Sequence, residues 1–213
     1  MTKHKLFGIS LTMIGIILAG FVLVRSTLYA PDTELTPPNA TSSLAAGVVT
    51  SPTSTPAVTQ KTAPSVYPER LLIPEINVNA AVQYVGVKSN GAMANPSNFT
   101  DVAWYKNGAI PGNPGTAVFA GHVDNALALK GVFKRLGELR VGDTVEVRRK
   151  DGKILTFRVD ALEYYPYKET PNRKVFTSSD GKAHLNLVTC AGTWIKSEKS
   201  YSERLVVYTT LLE

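Results

Sequence analysis

Beyond residue 66, short stretches in which apolar and polar residues alternate follow one another, with turn signals between them. Alternation with a period of two is typical of half-buried β-strands. The pattern predicts strands over 70–73, 76–80, 81–87, 116–120, 144–149, 154–162, 184–189 and 205–212. Short strands with intervening turns and little helix favour an all-β barrel or sandwich.

Two local signals refine this prediction. Only 126–139 has a plausible helical pattern, and Gly131 and Gly137 interrupt it. Residues 150–153 (Lys-Asp-Gly-Lys) join two alternating stretches. Asp-Gly between alternating apolar residues is the strongest short-range hairpin signal, and it predicts a type I′ turn.

The N-terminus carries a different pattern, an uncharged apolar stretch from Leu6 to Val24 that Arg25 closes. About 20 apolar residues span the hydrocarbon core of a bilayer. Because Lys3 and Lys5 precede the stretch, we expect an uncleaved anchor over 6–25, with residues 1–5 in the cytoplasm and the rest outside the cell. A cleaved signal peptide is the alternative, although 28–31 is a poor match to a small-x-small cleavage site.

Residues 31–65 are rich in Pro, Ser and Thr and show almost no hydrophobic pattern. Such a segment buries too little apolar surface to offset the entropy of ordering it. We therefore predict a disordered stalk over 31–65 and a single folded domain over 66–213, a typical domain size.

Charge and ligand patterns exclude several function classes. The formal net charge of +6 is mild, and its positive residues are dispersed, which argues against a nucleic-acid binder. One cysteine and few histidines give no zinc spacing, and Asp101, Asp124 and Asp143 do not form a calcium loop. The glycines of 112–115 lack a phosphate-binding pattern. We predict no metal and no cofactor.

The chain has a single cysteine, Cys190, which follows an apolar strand-like run. A lone cysteine cannot form an internal disulfide, so its thiol is either inert and buried or reactive. A thiol becomes a useful nucleophile when a neighbouring base or positive charge stabilises its thiolate. The function of the chain therefore depends on the partner of Cys190.

Three histidines are candidates for that partner. His4 precedes the predicted anchor and would lie on the wrong side of the membrane. His184 is on the strand of Cys190, and six residues of strand span roughly 20 Å, so a structural role is favoured. His122 remains, at a point where a buried strand opens into a polar segment, which is a suitable place to project a catalytic group.

Arg204 begins the last predicted strand and is a candidate for stabilising negative charge on a tetrahedral intermediate. Its guanidinium offers several N–H donors to an oxyanion or a peptide carbonyl. The alternative is a surface ion pair with Glu203 or Glu198.

Three motifs, in this order and behind an anchor and stalk, resemble those of the sortase family: Gly121-His122-Val123-Asp124, Val188-Thr189-Cys190 and Arg204-Leu205-Val206-Val207-Tyr208. The resemblance covers roughly 70–211. The first motif and the pattern over 132–143 are most similar to class F sortases, with classes D and E next.

The resemblance implies a cysteine transpeptidase on a closed eight-stranded β-barrel with short helices in its loops. Such enzymes cut a Leu-Pro-x-Thr-Gly-like sorting signal between Thr and Gly. Cys190 would form a thioester, His122 would exchange the protons, and Arg204 would hold the substrate carbonyl or oxyanion. Thr189 would shape the substrate groove, and Trp194 would form part of its wall. The amine acceptor would be a peptidoglycan precursor, a pilin lysine or water.

Two departures from the family pattern affect its loops and not its nucleophile. The usual Thr-Leu-x-Thr-Cys is Asn186-Leu187-Val188-Thr189-Cys190 here, and the following residues 191–194 also differ from many members. Two alternative functions stay open at this point. One is another extracellular cysteine peptidase or transpeptidase acting on peptidoglycan, and the other is a membrane-anchored, non-catalytic β-barrel binding module.

Overall fold

The computed structural model describes residues 35–38, 65–125 and 129–212. Eight strands close into one barrel in the order β1-β2-β3-β4-β7-β8-β6-β5, which confirms the predicted all-β closed barrel. The strands are β1 (Pro68–Ile73), β2 (Val78–Val85), β3 (Val102–Tyr105), β4 (Gly115–Ala120), β5 (Thr144–Arg149), β6 (Ile154–Pro166), β7 (Ala183–Ile195) and β8 (Ser200–Leu211). The short helices are α1 (Asn172–Phe176) and 3-10 helices at Pro74–Ile76, Leu136–Glu138 and Tyr167–Glu169.

Two of the strand pairings are parallel, β2 with β3 and β4 with β7. The register of the second runs from Gly115 opposite Ala183 to Ala120 opposite Val188. A parallel pair needs a long crossover connection, and here β5, β6 and α1 lie between the two strands in sequence. The end of β4 is thereby brought beside β7, where Cys190 lies.

Alternation along the strands divides the apolar residues into two clusters. Leu187 and Val207 belong to the larger cluster, which fills the barrel. Their neighbours Val188 and Val206 face the opposite side and belong to a second cluster on the outer surface of the sheet. This outer cluster also contains Ala103, Ala120, Met93, Val175, Phe176 and Leu35.

Leu35 comes from the segment predicted to be a disordered stalk. Its side chain is fully buried in the outer cluster, and its carbonyl accepts a hydrogen bond of 2.5 Å from the backbone N–H of Met93. The prediction of a disordered stalk over the whole of 31–65 is therefore wrong at Leu35. A single large apolar side chain can hold part of a polar segment against the domain when it packs on an apolar surface, as Leu35 does on the outer cluster.

Several predicted element boundaries need correction. Residues 76–80 and 81–87 contribute to one strand, β2, and β3 was not predicted because its four residues are all buried and show no alternation. The described part of 126–139 contains a β-bridge and a 3-10 helix but no α-helix. The backbone of this segment pairs instead with 122–123, because Gly131 N–H donates to the carbonyl of Val123 at 3.0 Å and Phe133 N–H to that of His122 at 2.9 Å.

The hairpin between β5 and β6 is confirmed, but its turn is not type I′. Type I′ needs positive φ at both central residues, and Asp151 does not have it. Gly152 has φ +85°, and its N–H donates to the carbonyl of Arg149 at 3.0 Å. This is the pattern of a type I turn followed by a glycine bulge.

The predicted anchor over 6–25 and the cytoplasmic residues 1–5 lie outside the described residues. Within the part of the chain that the structure does describe, no helix is both long and apolar enough to cross a bilayer.

Candidate active site

Three strands bring Cys190, Arg204 and His122 into one row on the outer surface of the barrel. Cys190 on β7 is directly opposite Arg204 on β8. The parallel register of β4 with β7 is carried one residue further by a 3.1 Å hydrogen bond from Gly121 N–H to the carbonyl of Val188. Continued by one more residue, this register places His122 level with Cys190.

The backbone around His122 is held by the segment that returns beside it. The carbonyl of His122 accepts from Phe133 N–H at 2.9 Å, and that of Val123 accepts from Gly131 N–H at 3.0 Å. Only glycine fits at 131 because the His122 carbonyl occupies the place of its Cβ. Gly121 meets a similar limit, since its Cβ would lie 2.6 Å from the Phe133 ring. His122 is thus fixed although it lies beyond the end of β4.

The row is almost completely removed from solvent. The exposed fraction is 1% for Cys190, 5% for His122 and 0% for Arg204. Electrostatic interactions between groups in such a desolvated site are stronger than at an open surface. The arrangement therefore suits chemistry in which charge develops on a reacting atom.

Arg204 is held by hydrogen bonds to main chain and hydroxyl groups. Its Nη1 donates to the carbonyls of Tyr201 at 3.2 Å and Glu203 at 2.9 Å, and its Nη2 donates to Ser200 Oγ at 2.9 Å. The Tyr167 ring lies 5.4 Å from the guanidinium carbon.

The alternative of a surface ion pair for Arg204 is wrong. Arg204 is buried, Glu203 accepts through its carbonyl, and Glu198 pairs with Lys168 at 2.9 Å. Among the described residues, Nε of Arg204 has no hydrogen-bond partner. A buried donor without a partner is costly, and a substrate oxygen would satisfy it.

The family model for the sortase domain matches residues 71–212. The chain belongs to the sortase family. It is therefore a sortase-type cysteine transpeptidase. Membership of this family favours neither of the two alternative functions, which were a cysteine enzyme of another family acting on peptidoglycan and a non-catalytic binding barrel. No curated protein sequence matches the chain.

Solved sortase structures share the fold of this sortase at low sequence identity. Sortase C-1 from Actinomyces oris is 23% identical, with a TM-score of 0.53 and coverage of 72% of this chain and 76% of that chain. The lid mutant of sortase A from Corynebacterium diphtheriae is 21% identical, with a TM-score of 0.53 and coverage of 73% and 74%. The sortase D5 transpeptidase from Clostridium perfringens is 18% identical, with a TM-score of 0.51 and coverage of 69% and 79%. These similarities to structures of classes A, C and D do not identify the class of this sortase as F.

Thr189 and Trp194, the two predicted groove residues, occupy different positions in this sortase. Thr189 is buried, alternates with Cys190, and donates from Oγ1 to the carbonyl of Gly121 at 2.9 Å. This hydrogen bond joins the strand of Cys190 to the segment of His122 on the face of β7 opposite to the Cys190 side chain. Trp194 is 45% exposed. Contact of either residue with substrate remains a prediction.

The sequence suggested that Cys190 ends a strand, but the residue lies inside β7. β7 continues to Ile195, and its pairing with β8 shifts between Ala191 and Trp194. Gly192 occupies this irregularity with φ +79°. Such irregularities re-aim a strand next to active sites, and no alternation in the sequence marks where the pairing shifts.

The remaining sequence candidates lie outside the row. His184 Nε2 lies 3.0 Å from a carboxylate oxygen of Asp180 and its Nδ1 lies 3.2 Å from the carbonyl oxygen of Thr209, and these contacts fit the structural role expected for it. Across the described ranges, no group of three His, Cys, Asp or Glu side chains could hold a metal ion. Independence from metals and cofactors stays an expectation for this sortase.

Proposed function

We propose that this sortase cleaves a Leu-Pro-x-Thr-Gly-like sorting signal between Thr and Gly and transfers the new threonine carboxyl group to an amine. The observation that carries the proposal is the single row of His122, Cys190 and Arg204, in which the buried Nε of the arginine has no hydrogen-bond partner within the described ranges.

In the first step, the Cys190 thiolate attacks the threonine carbonyl carbon. The oxygen of the resulting tetrahedral intermediate accepts from Arg204 Nε. The bond to the glycine nitrogen then breaks, and His122, as imidazolium, gives its proton to the leaving amine. The products are a thioester on Cys190 and a free glycine N-terminus.

In the second step, an incoming amine attacks the thioester carbonyl. His122 takes the proton of that amine, the C–S bond breaks, and the Cys190 thiolate is regenerated. The same imidazole acts first as an acid and then as a base, as microscopic reversibility requires. One proton must be on His122 and absent from Cys190, so we expect a bell-shaped dependence of kcat/KM on pH.

The test is cleavage of a fluorogenic sorting-signal peptide. Cys190→Ala and His122→Ala should abolish cleavage, whereas His184→Ala, a matched control on the strand of Cys190, should retain it. Full cleavage by Cys190→Ala would remove the thiol from the mechanism. A flat pH profile from neutral to alkaline would remove the His122–Cys190 pair.

The class and place of the enzyme follow as part of this proposal. The class F-like motif and the apolar N-terminus support a surface enzyme anchored through 6–25, with a stalk over 31–65 that is held to the domain at Leu35, and with the catalytic domain outside the cell. Its substrates would be secreted proteins with sorting signals, and its acceptor a peptidoglycan precursor, a pilin lysine or water. Protease accessibility in intact cells tests the topology. A peptide library, profiled with and without an added amine, tests the class and the acceptor.

A further inference from the structure

Tyr201 contacts the surroundings of all three residues in the row, although no motif contains it. Its hydroxyl donates to Asp124 Oδ2 at 2.5 Å, and Asp124 lies two residues after His122. Its carbonyl accepts from Nη1 of Arg204 at 3.2 Å. The Tyr201 hydroxyl therefore reaches from the β7–β8 hairpin across to the segment that carries His122.

The charged groups around this hydrogen bond favour its persistence. Asp124 is almost fully buried, and its carboxylate faces Lys134 Nζ at 3.8 Å as well as the Tyr201 hydroxyl. Burial, the Asp124 carboxylate and the charge of Cys190 all raise the pKa of Tyr201 above its ordinary value. The raised pKa favours the protonated phenol, which is the form that donates to Asp124.

A second contact fixes the ring itself. Trp194 pairs with Tyr201 across the hairpin, and the two rings meet edge to face with centroids 5.4 Å apart. The hydroxyl is thus presented to Asp124 from a ring whose orientation is set independently of that hydrogen bond. A hydroxyl on a ring with a fixed orientation can hold the His122 segment in one position, which an adaptable surface contact cannot do.

The support acts near the junction of the His122 segment with β7. Gly121 N–H, one residue before His122, donates to the carbonyl of Val188 on β7. The Tyr201–Asp124 hydrogen bond adds a connection two residues after His122 and joins positions 77 residues apart in sequence. Together the two bonds hold His122 from both sides.

We propose that the Tyr201–Asp124 hydrogen bond is a positioning device, which sets the segment of His122 against the hairpin that carries Cys190 and Arg204. Tyr201 and Asp124 act through His122 and do not touch the reacting atoms. The inference rests on the proposed roles of His122 and Cys190. A displacement of about 1 Å in a catalytic group can cost about 100-fold in rate, so one buried hydrogen bond at this place matters.

Tyr201→Phe is the sharpest test because it deletes only the hydroxyl and keeps the ring and the carbonyl that accepts from Arg204. We expect kcat for peptide cleavage to fall by about 10- to 100-fold, with KM changed much less. Asp124→Ala should have the same effect. Asp124→Asn, whose amide oxygen still accepts from Tyr201, should recover most of the activity.

Combining Tyr201→Phe with Asp124→Ala should cost no more than either change alone, because both remove the same bond. Tyr164→Phe is the matched control, since Tyr164 is exposed on β6, and it should leave kcat unchanged. A kcat within twofold of the wild type for Tyr201→Phe, or strictly additive losses in the double variant, would overturn the proposal.

A second readout does not depend on the peptide. The pH profile of Cys190 alkylation by iodoacetamide should change in Tyr201→Phe in the same direction as in His122→Ala, because both weaken the influence of the imidazole on the thiol. If the wild type cleaves no sorting peptide, the proposed function fails while this profile still decides the positioning role. The positioning role would be overturned if His122→Ala shifted the alkylation profile and Tyr201→Phe left it unchanged.

Discussion

Cys190 and Arg204 stand directly opposite each other on β7 and β8. Residues paired in this way across antiparallel strands lie about 4.5–5.5 Å apart at their Cα atoms and project on the same face. The guanidinium is therefore held beside the thiol by the strand ladder itself.

Replacement of Arg204 by lysine should cost about 100-fold in kcat, the typical loss when one oxyanion donor is removed. Lysine keeps the positive charge, but its single ammonium group cannot donate to the backbone carbonyls and to Ser200 Oγ while also offering a donor to the substrate. Kinetics on the sorting peptide provide the measurement, with Arg140→Lys at an exposed position as the control. Equal activity of the two variants would show that charge alone is sufficient.

Substitution of Gly131 by alanine should disturb the active site through the backbone. The new Cβ would lie 2.2 Å from the carbonyl oxygen of His122, so the segment of His122 must move. We expect a loss of about 1–3 kcal/mol in the free energy of unfolding and a fall in kcat. Gly86→Ala is the control, since its Cβ would meet only Lys106 at 3.7 Å. Wild-type stability and rate for Gly131→Ala would contradict this account.

The contact of Leu35 can be tested in the full-length chain by hydrogen exchange. Leu35→Ala removes a fully buried side chain from the outer cluster, so the Met93 amide that bonds to the Leu35 carbonyl should exchange faster. The lost burial is worth about 1.5–3 kcal/mol at most. Thr36→Ala changes the exposed neighbour and should leave the exchange of Met93 unaltered. Equal protection in both variants would show that Leu35 does not hold this segment.

Alkaline pH should destabilise the domain through Tyr208. Burial and the hydroxyl of Tyr165, 3.1 Å away, raise its pKa above the ordinary value. The unfolded chain loses this proton at about pH 10, before the folded chain does. The stabilisation is therefore complete below about pH 10 and is lost as the pH rises toward the folded-state pKa.

Urea unfolding at pH 8 and pH 11 measures this effect. The decrease in stability between the two should be smaller in Tyr208→Phe than in the wild type, whereas Tyr164→Phe should behave as the wild type does. The same decrease in all three proteins would assign the alkaline loss to other groups.

Sequence patterns predicted the parts of this molecule that depend on local alternation. β5 was predicted with its observed bounds, and most other strands were found with shifted ends. β3 escaped because a strand buried on both faces has no alternation to detect. The described part of 126–139 is not an α-helix because its backbone pairs with 122–124, and local sequence patterns do not reveal such a pairing.

The candidate site likewise has a part that sequence patterns predict and a part that they do not. The single cysteine and the elimination of two histidines selected Cys190 and His122, whereas Arg204 was selected by its place at the start of a strand and by the family resemblance. Their supports were not predictable in this way. The Tyr167 ring over Arg204 and the hydroxyl of Tyr201 on Asp124 join distant segments, and a tyrosine in a strand carries no signal of its partner.

The parallel pairing of β4 with β7 also has a consequence for how the enzyme becomes active as it folds. The Thr189–Gly121 hydrogen bond across this pairing closes a loop of 68 residues, and contacts of such range are entropically costly and form slowly. In the proposed mechanism, a chain that has not yet closed its barrel therefore has Cys190 without its acid–base partner His122. The proposed thiol–imidazole pair forms only when the fold is complete.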